Sequence, residues 1–355
     1  KAEDTGIYRL NINRNTDNHN ITYYDYSYGF TSKEIANIIE DYIGNIWIST
    51  VDQGVFQIII PSNSSDSVVF NHITERNGLS SNFLNVIFED NENNLWIGSD
   101  GSGVSQLRDL GIEVYSKENG LVDECVWAIH EDSNGKIWIG HDLGFSCLTF
   151  INDVQQKFIV DNYTNFENED INHVLSIGED NKKNIWFFSL THKPIVLNSI
   201  TQKMSTFDLE QKNGFKNAIT MLTDREGIVW FGSTANGILK VNTQNSTTEL
   251  ITKENNGISS NIINTIYVDS NDRLWFGTEN GGVMCYDDQK FNIYSTETHY
   301  PITSAVSISE DNQGRMWFIS SDDQLFCLND SVMTLVHGLR GIDGKTIYSV
   351  TAHDD

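Results

Sequence analysis

Asn77-Gly-Leu-Ser-Ser-Asn-Phe-Leu-Asn-Val-Ile-Phe-Glu-Asp-Asn-Glu-Asn-Asn-Leu-Trp-Ile-Gly-Ser-Asp-Gly-Ser-Gly-Val104 decides the fold, because its parts return along the chain. Seven of the eight tryptophans stand at 47, 96, 138, 186, 230, 275 and 317, spaced by 49, 42, 48, 44, 45 and 42 residues, a mean of 45. Six residues before each is an aspartate: Asp41, Asp90, Asp132, Asp180, Asp224, Asp269 and Asp311. Nine before is an aliphatic residue or Met, from Ile38 to Ile308, and directly after each Trp comes Ile or Phe. Three columns aligned seven times mark a repeat, and a period of this length means a solenoid, a propeller or an array.

Each unit reads as four short strands. In the second, these are Phe83–Glu89, Leu95–Ser99, Gly103–Leu107 and Gly111–Tyr115, rich in β-branched and aromatic residues and punctuated by Gly, Asn, Asp and Ser. Turns such as Asp132-Ser-Asn-Gly135 join strands one and two: Asp accepts a backbone N–H, and Gly supplies the positive φ. Asn93, Lys183 and Asp272 replace that Gly in three units. A lone four-stranded sheet leaves two apolar faces wet, whereas radial stacking covers both. The fold expected is therefore all-β: a β-propeller of four-stranded antiparallel blades, with the Trp column packed between blades and the Asp column building turns. Seven units are complete. Partial units at 1–28 and 338–355 leave open a seven-bladed ring cut from a longer array, or an eighth blade made of the two halves. The Asp column sits one residue too far from the aromatic for a sialidase-type Asp-box, and no calcium-loop pattern with its twelfth-position Glu follows.

The repeated letters resemble a known family. Asn77-Gly-Leu-Ser-Ser-Asn82, Val86-Ile-Phe-Glu-Asp90, Asn94-Leu-Trp-Ile-Gly98 and Gly103-Val104 are similar to the two-component regulator propeller repeat. Asn256-Gly-Ile-Ser-Ser-Asn261 with Leu274-Trp-Phe-Gly277, and Asn119-Gly-Leu121 with Lys136-Ile-Trp-Ile-Gly140, repeat the likeness. The resemblance implies a periplasmic sensor of a hybrid two-component system from Bacteroidetes. It also implies an oligosaccharide ligand, a second propeller, a β-sandwich, dimerisation, and a histidine kinase outside this chain.

Composition agrees with a packed domain. The 355 residues are 39% hydrophobic and 11% aromatic, against a formal net charge of −26. That charge repels phosphate backbones and anionic lipid, so no nucleic-acid contact is expected of this chain. Its apolar runs are too short for a membrane helix, and the first eleven residues do not read as a signal peptide. The four cysteines, Cys125, Cys147, Cys285 and Cys327, have no metal-ligand spacing, and free thiols are expected. No cofactor or metal is expected.

Propeller ligands commonly sit where strand four crosses to strand one and strand two turns into strand three, so departures from the repeat at that face are the candidates. Trp127 stands eleven residues before Trp138, where other units carry Ala36, Asn85, Leu175, Ile219, Asn264 and Val306. It either stacks on a sugar or packs the channel. His141-Asp142 replaces the usual hydroxyl residue after Trp-Ile-Gly, and a neutral imidazole beside a carboxylate suits hydroxyl recognition. In the fourth unit His192 and Lys193 precede Pro194 where others have a glycine turn. They face an anionic or hydroxylated ligand or belong to a degenerate blade. The function expected is ligand sensing without catalysis. The rivals are a propeller lyase acting on a polysaccharide or other small substrate, and a protein-binding scaffold.

Overall fold

A computed structural model describes residues 7–12, 19–24, 26–28, 30, 32, 34–60, 68–108, 111–151, 158–167, 169–189, 193–211, 214–311 and 313–336. Seven four-stranded antiparallel sheets follow one another as blades around a ring, giving a seven-bladed β-propeller. Their first strands are Ile35–Glu40, Leu84–Glu89, Val126–Glu131, Val174–Glu179, Ala218–Thr223, Ile263–Val268 and Ser307–Glu310. Consecutive first strands touch one another, so they are the innermost and line the central channel. Each second strand carries its unit's tryptophan.

The tryptophans fill the gaps between blades. Trp96 lies in one buried cluster with Val126, Ile129 and Ile139 of the third blade, and Trp230 in another with Ile263, Ile266 and Phe276 of the sixth. Trp47, Trp138, Trp186 and Trp275 do the same toward the blade that follows each. Burying one such side chain is worth at least ~2–3 kcal/mol by area. The glycine two residues after Trp has its own reason. A Cβ on Gly98 would come within 2.6 Å of Val126 Cγ1 in the next blade's first strand, and one on Gly140 within 2.5 Å of the Val174 carbonyl.

The turn aspartate does more than shape its turn. In every blade its Oδ2 accepts the indole N–H of the tryptophan six residues on, at 2.7–2.9 Å. Its Oδ1 accepts the backbone N–H four residues on, as from Asn94 at 2.8 Å and Arg273 at 2.9 Å. Asn93, Lys183 and Asp272 take positive φ, 64°, 62° and 63°, at the position where other units place glycine.

A second clamp crosses between blades. Glu89, Glu131, Glu179 and Glu310, each seven residues before a Trp, accept the N–H of the residue after the turn aspartate in the preceding blade: Tyr42, Asn91, Ser133 and Ser270. Sequence reading did not find it, because the partner lies a whole blade away.

The first half-unit is the hairpin Ile7–Ile12 with His19–Tyr24, its ends paired Ile7 to Tyr24. Ile7 and Phe30 pack on the first blade as Val55 and Leu79 pack on the second. The hairpin thus stands where strands three and four of a preceding blade would stand. The half-unit at 338–355 falls outside the described residues. Cys147, Cys285 and Cys327 pair across their sheets with Trp138, Trp275 and Trp317, and all three are free and buried.

Candidate functional site

The mouth of the channel is shaped by a bulge. The first strand breaks register between Ile35 and Asn37, Leu84 and Val86, Val126 and Ala128, Val174 and Ser176, Ala218 and Thr220, and Ile263 and Thr265. The skipped residues are Ala36, Asn85, Trp127, Leu175, Ile219 and Asn264. A bulge leaves its residue outside the ladder and re-aims the side chain. On the innermost strand, the result is a collar at the rim of the channel. Val306, 41% exposed, holds the corresponding place in the seventh blade. Polar collar members tie neighbours together: Asn85 Nδ2 donates to the Val126 carbonyl at 3.1 Å and Asn264 Nδ2 to the Ala305 carbonyl at 3.2 Å.

Trp127 is the large member, 37% exposed. Its Nε1–H donates to Asp142 Oδ1 at 2.6 Å, so the ring is fixed by a carboxylate from the end of its neighbouring strand. His173, from the segment entering the fourth blade, places Nδ1 2.7 Å from the same oxygen. Its backbone N–H also bonds the Asp142 carbonyl at 3.1 Å, in a residue held at φ 51°. Cys125 lies next to this group, and its thiol donates to Asp100 Oδ1 at 3.1 Å. Asp100 in turn takes its backbone hydrogen bond to the Phe83 carbonyl, and Phe83 is 54% exposed. Phe83, Asp100, Cys125, Trp127, Asp142 and His173 therefore form one continuous patch over blades two to four.

The electrostatics follow from these contacts. Burial alone would raise Asp142, but hydrogen bonds from Trp127, His173 and Cys125 outweigh it and hold the carboxyl below its ordinary range. Burial and the Asp100 and Asp142 carboxylates push the Cys125 thiol well up, so it stays protonated and acts as a donor.

The structure separates His141 from Asp142. His141 ends the second strand and is 0% exposed, with Nε2 3.1 Å from Ser146 Oγ. Burial lowers its pKa to about 4, leaving it neutral. The Cys125 backbone is near, yet Nδ1 completes no hydrogen bond among the described residues. Of the fourth-blade pair, His192 lies outside the described residues. Lys193 reaches outward to Asp208 Oδ2 at 2.7 Å, and that exposed ion pair raises the lysine and lowers the carboxylate. Sequence reading missed His173, Cys125 and Phe83. They share one column, thirteen residues before Trp, whose seven members are Glu34, Phe83, Cys125, His173, Asn217, Ile262 and Ser304. That scatter was the available signal.

Fold and collar thus define a seven-bladed propeller with one ornamented mouth. Solved structures agree on the fold. Virginiamycin B lyase from Staphylococcus aureus aligns over 90% of this chain and 98% of that chain at 13% identity, TM-score 0.56. PorZ, a surface component of the type-IX secretion system of Porphyromonas gingivalis, aligns over 91% and 50% at 16% identity, TM-score 0.58. Three stretches, residues 78–101, 120–142 and 257–280, match the two component regulator propeller repeat. A 104-residue stretch is 31% identical to histidine kinase P4 of Formosa agariphila. That match spans 27% of this chain and 8% of the kinase's length.

Proposed function

We propose that this chain is a ligand-sensing propeller of a hybrid two-component regulator, placed outside the cytoplasm, which signals to a histidine kinase elsewhere in the same full-length protein. The propeller repeats and the stretch similar to a histidine kinase support the signalling context. The observation that carries the ligand reading is Trp127, part-exposed at the channel rim and fixed by Asp142 and His173. An indole held in place presents a flat apolar face to the C–H side of a sugar ring, while adjoining carboxylates accept hydroxyls. We therefore read the ligand as an oligosaccharide. A ligand preferring one arrangement of the receptor, through a further propeller, a β-sandwich or a dimer partner, would shift its signalling state. No nucleic-acid contact is assigned to this chain.

The chain is read as a binding module. The lyase reading has the fold alone behind it, at 13% identity. A lyase would need a proton-carrying group such as His141 or His192 beside a carboxylate; His141 is buried and neutral, and His192 lies outside the described residues. Calorimetry against a panel of purified oligosaccharides, with product analysis on the same samples, tests the proposal. Saturable binding that Trp127→Ala weakens at least tenfold, with no new reducing or unsaturated ends, is the expected result. Turnover would replace the sensor reading with the lyase.

A further inference from the structure

Between the outer strands of blades five and six lies a groove of about 580 Å³, made by two departures from the repeat. In strand four, Tyr115, Tyr163 and Tyr294 take one register place, opposite Val104, Phe145 and Val283. Each lays its ring near the tryptophan of its own blade, with centroids 5.5, 6.2 and 5.7 Å apart. Blade five has Ile251 at that place, opposite Ile238, so no tyrosine of its own strand four covers Trp230. The second departure is Lys240. The strand-three residue paired with the tryptophan is Gln57, Gln106, Cys147, Val196, Cys285 or Cys327 in the other blades, and a cation only here. Its ammonium stands 4.9 Å from the centroid of the Trp230 ring and donates to the Tyr286 hydroxyl of blade six at 3.1 Å. Among the described residues Lys240 has no carboxylate partner: Glu249, opposite it in register, is exposed and makes no ion pair with it. Lys290, on the facing wall, has none either. Phe291, its ring 4.8 Å from that of Tyr286, and the amides of Asn256 and Asn292 also line the groove.

We propose that this groove is a second ligand site, which takes a sugar acid and holds its carboxylate on Lys240. An ammonium carries three N–H donors, and the Tyr286 hydroxyl takes one of them. Aromatic walls keep water from the amine, so a carboxylate that reaches it forms a charge-assisted bond stronger than one in open solvent. With Lys290 and Glu249, the lining carries two cations to one anion. Asn256, Asn292 and Glu249 supply donors and acceptors for ring hydroxyls, and Phe291 offers an apolar surface to the C–H side of a sugar. The chain as a whole is strongly acidic, but exposed charges farther than about 8 Å are largely screened at physiological salt. A neutral sugar would cover the ammonium without pairing it, and an amino sugar would be repelled by it. Strand four is the outermost strand of each blade, so the groove lies apart from the channel mouth, and neither site depends on the other.

The test uses trigalacturonate and its methyl ester, which share the sugar and differ in the charge. Calorimetry on the wild-type chain should give trigalacturonate a Kd at least tenfold lower than the ester, a gap that added salt narrows. Lys240→Gln, the residue type of blades one and two at that place, should bring the two Kd values within about threefold. An unchanged melting temperature is the check on folding. Ile251→Tyr, which gives blade five the tyrosine of other blades, should fill the groove and weaken both ligands at least tenfold. Trp127→Ala should alter neither. Equal binding of acid and ester, or no binding of the acid, would overturn the proposal. So would a preference for the acid that survives both Lys240→Gln and Ile251→Tyr; its loss in Trp127→Ala alone would then place the acid at the mouth and leave the mouth as the ligand site. Full competition by acetate or inorganic phosphate, at the concentration of the trigalacturonate, would show a bare anion site and overturn the assignment to a sugar acid.

Discussion

The two ends of the propeller are built on opposite terms. At the turn end, one arrangement is made seven times: an aspartate holds its own turn and the indole of its own blade. Four glutamates there also hold the turn of the blade before. At the mouth end, equivalent positions carry unlike residues. The bulge column reads Ala, Asn, Trp, Leu, Ile, Asn and Val, and the column thirteen before Trp is as mixed. Uniformity marks where neighbouring blades must fit the same partner each time. Variety marks where side chains meet solvent and whatever it carries. The contrast is sharpest within blade three, where Asp132 is buried under its turn and Asp142 sits at the patch.

Substitutions at the two ends should separate stability from binding. The largest effect is expected for Trp96→Ala, about 3–5 kcal/mol lost in denaturant unfolding, since the side chain is wholly buried between blades. A loss below about 1 kcal/mol would break the reading of the Trp column as inter-blade packing.

Next comes acid. His141 has a folded pKa of about 4 against an ordinary 6.5, so the unfolded chain takes up a proton that the native chain refuses. The stability this gives is complete above pH 6.5 and drains as pH falls toward about 4, by roughly 3 kcal/mol. His130, also pushed down by burial, adds in the same direction. His141→Ser, the residue type of several other blades, should flatten the slope of unfolding free energy against pH over that window. An unchanged slope would show that His141 is not the group responsible.

Asp90→Ala should cost about 1–3 kcal/mol, because it strands the Trp96 indole N–H and two turn N–H groups. Asp142→Ala should cost about 1–2 kcal/mol, because it removes the acceptor of the Trp127 and His173 side chains, and should free the Trp127 ring, visible as a changed indole fluorescence. The same fluorescence should hold steady as pH falls through the ordinary carboxylate range and change only below it, because Asp142 titrates low. The smallest effect is expected for Lys193→Ala, which removes an exposed ion pair and should leave the melting temperature unmoved.

Much of the frame was legible before any coordinates. Strand two of the second unit was expected at Leu95–Ser99 and strand four at Gly111–Tyr115, and both stand there. The family letters proved readable for a structural reason. In Asn77-Gly78, Asn77 closes a capping box with Thr74 around a single helical turn, and Gly78 ends that turn at φ 108°. Capped turns of this kind recur at Ser116–Gly120, Thr252–Gly257 and Ser295–His299, so such letters announce fold and family and say little about ligand. The site was legible only in part. Trp127 and Asp142 stood out as odd residues, but their hydrogen bond joins positions fifteen apart. His173 is thirty-one residues from Asp142. His141, adjacent in sequence to Asp142, proved to be wholly buried beside Ser146. His141 is the last residue of its strand and Asp142 the first of the turn that follows, so adjacency misled where distance did not.

The sequence by itself determined the repeat, the four-stranded unit and the number of complete blades, because each is set by local pattern: period-two strands, turn residues and one large side chain per unit. Only the tertiary structure decided which residues share the mouth. Closing blades into a ring turns positions in different units into neighbours, and a one-residue bulge in the inner strand chooses which side chain stands at the rim.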